Sequence, residues 1–179
     1  MIVMFSRIVR LLRGLGFDVE AKCRREREDG KEYVVHEVFG RKQYRQYTIV
    51  INMLEINGNV EYVKFEVLEL PTVKVYAESA KLEAVKKAYN KIIETIDEVM
   101  RRKENSATIL QQLKRLGFEV YEGTGYAEAV FRKTGLDCVR IVLNFEPRYK
   151  HTLFIQMTVN NDVKLIEVAR KAINIIKLK

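Results

Sequence analysis

Two short stretches carry the residue types best suited to holding a polyanion. Gly40-Arg41-Lys42-Gln43-Tyr44-Arg45-Gln46-Tyr47 interleaves guanidinium, ammonium, amide and phenol groups ahead of an apolar run, and Arg148-Tyr149-Lys150-His151 repeats the mixture later in the chain. Cationic groups neutralise phosphates while aromatic faces stack on bases, which is the chemistry of single-strand and RNA surfaces. Arg41, Lys42, Tyr44, Arg45, Arg148, Tyr149 and Lys150 are therefore the expected nucleic-acid contacts, with DNA or RNA as the expected partner. The competing reading makes each stretch a solvated turn whose tyrosines lie over a strand edge.

Other chemistry finds little support. His36 and His151 are the only imidazoles, and no third ligand stands at metal spacing beside them. Both read as strand or surface histidines, and no metal or cofactor is expected. The carboxylates are scattered among basic residues, without a pair set in an apolar run that could divide acid from base. Gly123-Thr124-Gly125 leads into Tyr126-Ala127-Glu128-Ala129 rather than a helix start, so it reads as a hairpin turn and not a phosphate loop. Cys23 and Cys138 belong to no CxxC pattern and read as buried small hydrophobes, with a disulfide as the lesser alternative. The balance leans away from an enzyme.

Charge agrees with a polyanionic partner. The 179 residues carry 32 Lys and Arg against 24 Asp and Glu, a formal charge of +8. Charged residues make up 31% of the chain, a density familiar from thermophile surfaces rich in ion pairs. The run Lys22, Arg24, Arg25 and Arg27 is broken by Glu26, Glu28 and Asp29, so it reads as an ion-paired hairpin tip. Apolar stretches are interrupted by charge every few residues, which excludes a helical membrane span. The start lacks the pattern of a signal peptide, so a cytoplasmic protein is expected.

The elements that must position these residues are written twice. Arg10-Leu11-Leu12-Arg13-Gly14-Leu15-Gly16-Phe17-Asp18-Val19 returns as Gln111-Gln112-Leu113-Lys114-Arg115-Leu116-Gly117-Phe118-Glu119-Val120, with Leu12, Leu15, Gly16, Phe17 and Val19 kept. Ile8, Leu12 and Leu15 lie on one helical face, as do Ile109, Leu113 and Leu116. Gly16 and Gly117 fall at the left-handed position after each helix, followed by an apolar Phe. Leu82 to Ile92 likewise matches Ile166 to Ile176 through Glu83/Glu167, Lys87/Lys171, Ala88/Ala172, Asn90/Asn174 and Ile92/Ile176. Such self-similarity predicts two copies of one unit about a pseudo-two-fold axis.

Between the helices, alternating runs predict strands. Tyr47–Ile56 and Val60–Leu70 flank Asn57-Gly58, the preferred two-residue hairpin turn. Val139, Ile141, Leu143 and Phe145 alternate with more polar residues. The first copy is longer by about one strand and its turn, which gives five strands there and four in the second. Ser79 and Asn161 are the expected caps of the closing helices, and Glu104-Asn105-Ser106 the expected break, with Ser106 capping the next helix. Arg101-Arg102-Lys103 would then sit at a helix C-terminus, where the dipole favours cations.

The expected fold is α+β: helix, antiparallel meander, helix, in duplicate, with helices packed on one face of each sheet and a core shared in one compact unit. Residues 1–104 form the first repeat and 105–179 the second. The passage from the strand Val73–Ala77 into the Ala88-bearing helix is similar to the end of one repeat of the TATA-box-binding protein family. That family also duplicates a sheet-plus-helices unit, and the likeness is one of architecture. The function expected is non-enzymatic nucleic-acid binding, with a second copy in a homodimer among the expected partners; the alternative is an assembly or small-ligand module with an apolar cleft between the repeats.

Overall fold

The computed structural model describes residues 2–134, 137–148, 153–158 and 162–177. Among the described residues the fold is mixed α+β, with two antiparallel sheets and three helices. The chain divides into two units, Met1–Ile96 and Asp97–Lys179. No helix among the described residues is long and apolar enough to cross a membrane.

The first unit opens with α1 (Ile2–Gly14), which buries Ile8, Val9 and Leu12. Its stop has two nested hydrogen bonds: Phe17 N donates to Leu12 O at 3.0 Å and Gly16 N to Arg13 O at 3.0 Å. The geometry needs a left-handed residue, and Gly16 supplies φ +84° without the Cβ clash of other residues. Phe17 then folds back into the core, 5.8 Å from the Tyr89 ring and 6.1 Å from that of Phe65.

Five strands follow as an uninterrupted meander: β1 (Asp18–Glu28), β2 (Lys31–Tyr44), β3 (Tyr47–Ile56), β4 (Asn59–Val67) and β5 (Leu70–Tyr76). Asp29-Gly30 and Asn57-Gly58 make the tight turns β1–β2 and β3–β4. Both central residues have positive φ in each, the type I′ geometry whose twist matches the flanking strands. The run taken as one strand, Val60–Leu70, is cut by a turn at Leu68-Glu69 into β4 and the start of β5. Pro71 is tolerated inside β5 because that strand is at the sheet edge.

Central β3 is buried along most of its length. One face of the sheet, with Val38, Gly40, Ile51, Met53, Val63 and Phe65, is the core side of this unit. Val85, Ala88, Tyr89, Ile92 and Ile96 of α2 (Leu82–Arg115) are buried too, at the i, i+3, i+4, i+7 spacing of one helical stripe. Gly40 lets two strands and Phe17 meet closely. A Cβ there would lie 2.6 Å from Ile51 Cγ2.

The second unit contains the rest of α2, then β6 (Glu119–Glu122), β7 (Tyr126–Thr134), β8 (Asp137–Asn144), β9 (Leu153–Thr158) and α3 (Val163–Lys177). The helix stop recurs: Phe118 N donates to Leu113 O at 3.1 Å, Gly117 N to Lys114 O at 3.0 Å, and Gly117 has φ +90°. The core joins Leu113 and Phe118 to Ala129, Val139 and Ile141 of the sheet and to Leu165, Ala169 and Ala172 of α3. Among the described residues each unit thus has the order helix, antiparallel meander, helix, with five strands in the first and four in the second.

The helix ends differ from expectation. Glu104-Asn105-Ser106 is no break: α2 runs through it, and Ser106 Oγ donates to Arg102 O at 2.8 Å instead of capping. Asn and Ser favour a cap, but the flanking Glu, Lys, Arg, Ala and Leu are helix formers, and the hydroxyl can satisfy itself inside the helix. Arg101-Arg102-Lys103 is consequently mid-helix. Arg102 pairs with Glu98 at 2.5 Å and Lys103 Nζ donates to Gly123 O at 3.1 Å. Ser79 Oγ accepts from Lys81 N at 3.4 Å, ahead of the first helical residue. Asn161 lies outside the described residues. Asp162 Oδ1 caps α3, accepting from Lys164 N at 2.9 Å and Leu165 N at 3.2 Å.

Candidate nucleic-acid interface

The first basic and aromatic stretch is mostly strand, not loop. Arg41, Lys42, Gln43 and Tyr44 end β2, and only Arg45-Gln46 turns before β3. Side chains on a strand alternate, so neighbours in this stretch face opposite ways. Arg41 is exposed on the outer face. Lys42 points to the core side, where its ammonium donates to Leu15 O at 2.5 Å and Tyr89 Oη at 2.7 Å. It also lies over the Tyr89 ring, 5.1 Å from its centroid. Lys42 therefore secures the end of α1 and does not belong to an outward anion surface.

Tyr44 and Arg45 stay together at the turn, the guanidinium carbon 5.7 Å from the ring centroid. Arg45 adopts φ +54°, a region that non-glycine residues disfavour. Arg148 is exposed in a turn of the other unit, whereas Tyr149, Lys150 and His151 lie outside the described residues. The two basic stretches therefore belong to separate units.

A larger surface surrounds Arg41. The face of the five-stranded sheet opposite the core carries three open rings: Phe39 on β2, Tyr62 on β4 and Tyr76 on β5, which are 46%, 39% and 60% exposed. The register sets Phe39, Asn52, Lys64 and Tyr76 in one row across four strands. Adjacent strands are about 4.8 Å apart, so the row spans about 14 Å between its end rings. The next row is Arg41, Val50, Glu66 and Lys74. Lys64 Nζ and Lys74 Nζ reach Glu66 at 3.1 and 3.3 Å. Burial pushes the Glu66 carboxyl up, but hydrogen bonds from Lys64 and Lys74 outweigh it and hold the group below its ordinary value. A shallow depression beside the rings is lined by Glu20, Lys22, Glu37, Phe39, Asn52 and Tyr62.

The rings escaped sequence reading because they lie on three strands. The alternation Phe39/Arg41 and Tyr62/Lys64, with aromatic and cation two apart, was the available signal. The β1–β2 ribbon pairs Arg24 with Glu26 and Glu37 at 2.6 and 2.7 Å, and Arg25 with Glu32 at 3.7 Å, so these two guanidiniums are matched within the ribbon. Cys23 beside them is exposed, because β1 is an edge strand that leaves the ribbon open to solvent; Cys138 is half-buried, and both thiols are free. The Gly123-Thr124-Gly125 segment closes a β6–β7 hairpin, with Gly123 N donating to Tyr126 O at 2.9 Å.

His36 has a partner that spacing did not show. Its Nδ1 lies 2.8 Å from Glu55 Oε1, a carboxylate 2% exposed on the adjacent strand. Among the described residues, no group of three or more His, Cys, Asp or Glu is arranged to hold a metal ion. Compared with known protein families, curated proteins and solved structures, the chain finds no match.

Proposed function

We propose that the chain binds single-stranded nucleic acid on the outer face of its five-stranded sheet. One observation carries the reading: Phe39, Tyr62 and Tyr76 are solvent-open on a single sheet face, with Arg41, Lys64 and Lys74 between and beside them. Flat rings on a sheet give unpaired bases a stacking platform, and a sheet of this size accommodates two or three bases. A duplex hides its base faces and gains nothing from open rings. Arg41 and, at the turn, Arg45 supply phosphate contacts, while Lys64 and Lys74 share Glu66 until a phosphate competes for them. Tyr44, two residues beyond Lys42 on the same side of β2, is held against Arg45 at the turn and is not part of this platform. Arg148 and its neighbours are a separate contact on the second unit. The helix stop repeated at Gly16 and Gly117 supports the duplication of the two units, which remains part of this proposal.

Fluorescence anisotropy with single- and double-stranded oligonucleotides tests it. Phe39→Ala and Tyr76→Ala each weaken single-strand binding by about 1–3 kcal/mol per stacked base, with little change in salt slope. Arg41→Ala weakens all sequences alike and reduces the log-log salt slope by about 0.7. Absence of binding at low salt, or a Phe39→Ala/Tyr76→Ala double variant that binds as well as the parent, overturns the proposal.

A further inference from the structure

The first sheet ends in a long open edge. β1 pairs with β2 on one side, no strand lies on its other side among the described residues, and all of it except Val19 is exposed. An edge strand offers its outer N–H and C=O groups to any strand that can align with it. Which groups are open follows from the turn. Residues that close a two-residue loop exchange both backbone hydrogen bonds, and Glu28 and Lys31 close Asp29-Gly30 in this way. The register then runs without a shift to Asp18, so even-numbered residues of β1 spend their backbone groups on β2. Cys23, Arg25 and Arg27 turn theirs to the open edge.

The side chains say what fits there. On the face it shares with Phe39, β1 carries Lys22, Arg24, Glu26 and Glu28: two cations, then two anions, with Arg25 at the midpoint. An edge of one sign repels its own copy, whereas an edge whose sign reverses about a midpoint attracts it. Antiparallel pairing of two β1 strands about a two-fold at Arg25 sets Lys22 opposite the partner's Glu28 and Arg24 opposite the partner's Glu26, and symmetry repeats both pairs. These are the non-hydrogen-bonded positions, where opposed side chains come closest. Lys22 and Glu28 have no ion pair among the described residues, and Arg24 exchanges its own Glu26, now at 2.6 Å, for the partner's.

Neighbouring registers lose the match. Centring on Cys23 opposes Lys22 to Arg24 and Glu20 to Glu26. Centring on Arg24 opposes Glu20 to Glu28, and centring on Glu26 sets that carboxylate against its own copy. Arg25 does meet its copy in the matched register, but at the wider hydrogen-bonded spacing, and it carries Glu32 at 3.7 Å.

We propose that β1 is a self-pairing edge, through which two copies of this chain join antiparallel about a two-fold at Arg25 into one continuous sheet. The axis stands perpendicular to the sheet, so Phe39, Tyr62 and Tyr76 of both copies lie on the same side. One strand pair is a small interface, and the dimer is correspondingly weak, in the micromolar range.

Sedimentation velocity on the full chain, reduced and freed of nucleic acid, follows association from about 1 to 300 µM. The parent passes from monomer to dimer across this range. Lys22→Glu/Arg24→Glu leaves the face of β1 anionic and Glu26→Lys/Glu28→Lys leaves it cationic, so each alone loses roughly tenfold or more in dimer affinity. An equimolar mixture of the two, whose signs are opposite again, associates at least as well as the parent. Rescue by mixing excludes misfolding as the cause of either loss. Oxidation reads the register: Arg24→Cys and Glu26→Cys chains, each with Cys23→Ser, cross-link at these positions when mixed and not when alone, because only the opposed pair is within disulfide reach. A parent that stays monomeric, charge variants that associate like the parent, a mixture no better than its components, or cross-links at position 24 or 26 in either chain alone each overturn the proposal.

Discussion

Replacing each helix-stop glycine by alanine separates backbone strain from packing. Gly16 and Gly117 have nearly the same φ, +84° and +90°, and nearly identical hydrogen bonds, so both Ala variants place a Cβ in the left-handed region. That strain costs about 1–2 kcal/mol. Loss of glycine freedom in the unfolded chain offsets about 0.4–1 kcal/mol of it. The sites differ in what the new methyl meets. At Gly16 it has only the Lys42 chain end at 3.8 Å, whereas at Gly117 it meets the Phe131 ring at 3.3 Å, tighter than ordinary contact. Phe131 packs on Phe118, with centroids 5.6 Å apart, so it cannot retreat freely. Gly16→Ala should therefore cost about 0.5–1 kcal/mol, and Gly117→Ala about 0.5–1 kcal/mol more as overpacking. In thermal melts followed by circular dichroism, about 1 kcal/mol is a shift of roughly 2–4 °C for a chain of this length. Gly117→Val, branched at Cβ, falls further still. A Gly16→Ala melt above that of the parent refutes the left-handed stop. Equal losses at both sites refute the Phe131 contact.

Two more perturbations test the electrostatics. Lys42→Met removes the donor to Leu15 O and Tyr89 Oη and lowers stability by about 1–3 kcal/mol in urea unfolding, while oligonucleotide affinity stays unchanged because this ammonium faces the core side; loss of affinity without loss of stability would return Lys42 to the binding surface. For Glu69, burial pushes the carboxyl up, but hydrogen bonds from Thr48 N at 2.8 Å and Thr48 Oγ1 at 2.7 Å outweigh it and hold it below the ordinary 4.5. The folded value being depressed, this stabilisation is complete above about pH 4.5 and is lost as pH falls through the folded value. Thr48→Val should shrink the acid-side loss of melting temperature, and an unaltered acid profile contradicts this account.

Local chemistry alone determined a good part of this protein. Gly16-Phe17 and Gly117-Phe118 announce helix stops because only glycine enters the left-handed region cheaply, whatever surrounds it. Asn57-Gly58 specifies a tight hairpin for the same reason, and the alternation of Val139, Ile141 and Leu143 with more polar residues marks a strand. These are short-range effects, complete within a few residues. Tertiary structure decided the rest. Whether Glu104–Ser106 breaks a helix depended on whether the flanking helix formers outweighed two cap-prone residues, which composition leaves balanced. Whether Lys42 grips an anion or the end of α1 depended on the phase of β2, which is set by burial of Val38 and by the close approach of Gly40 to Phe17 and Ile51. The pairing of His36 with Glu55, and the row from Phe39 to Tyr76, join residues 19 and 37 positions apart. Register brings them together, and register is fixed by turns and by which face is buried rather than by the paired residues themselves.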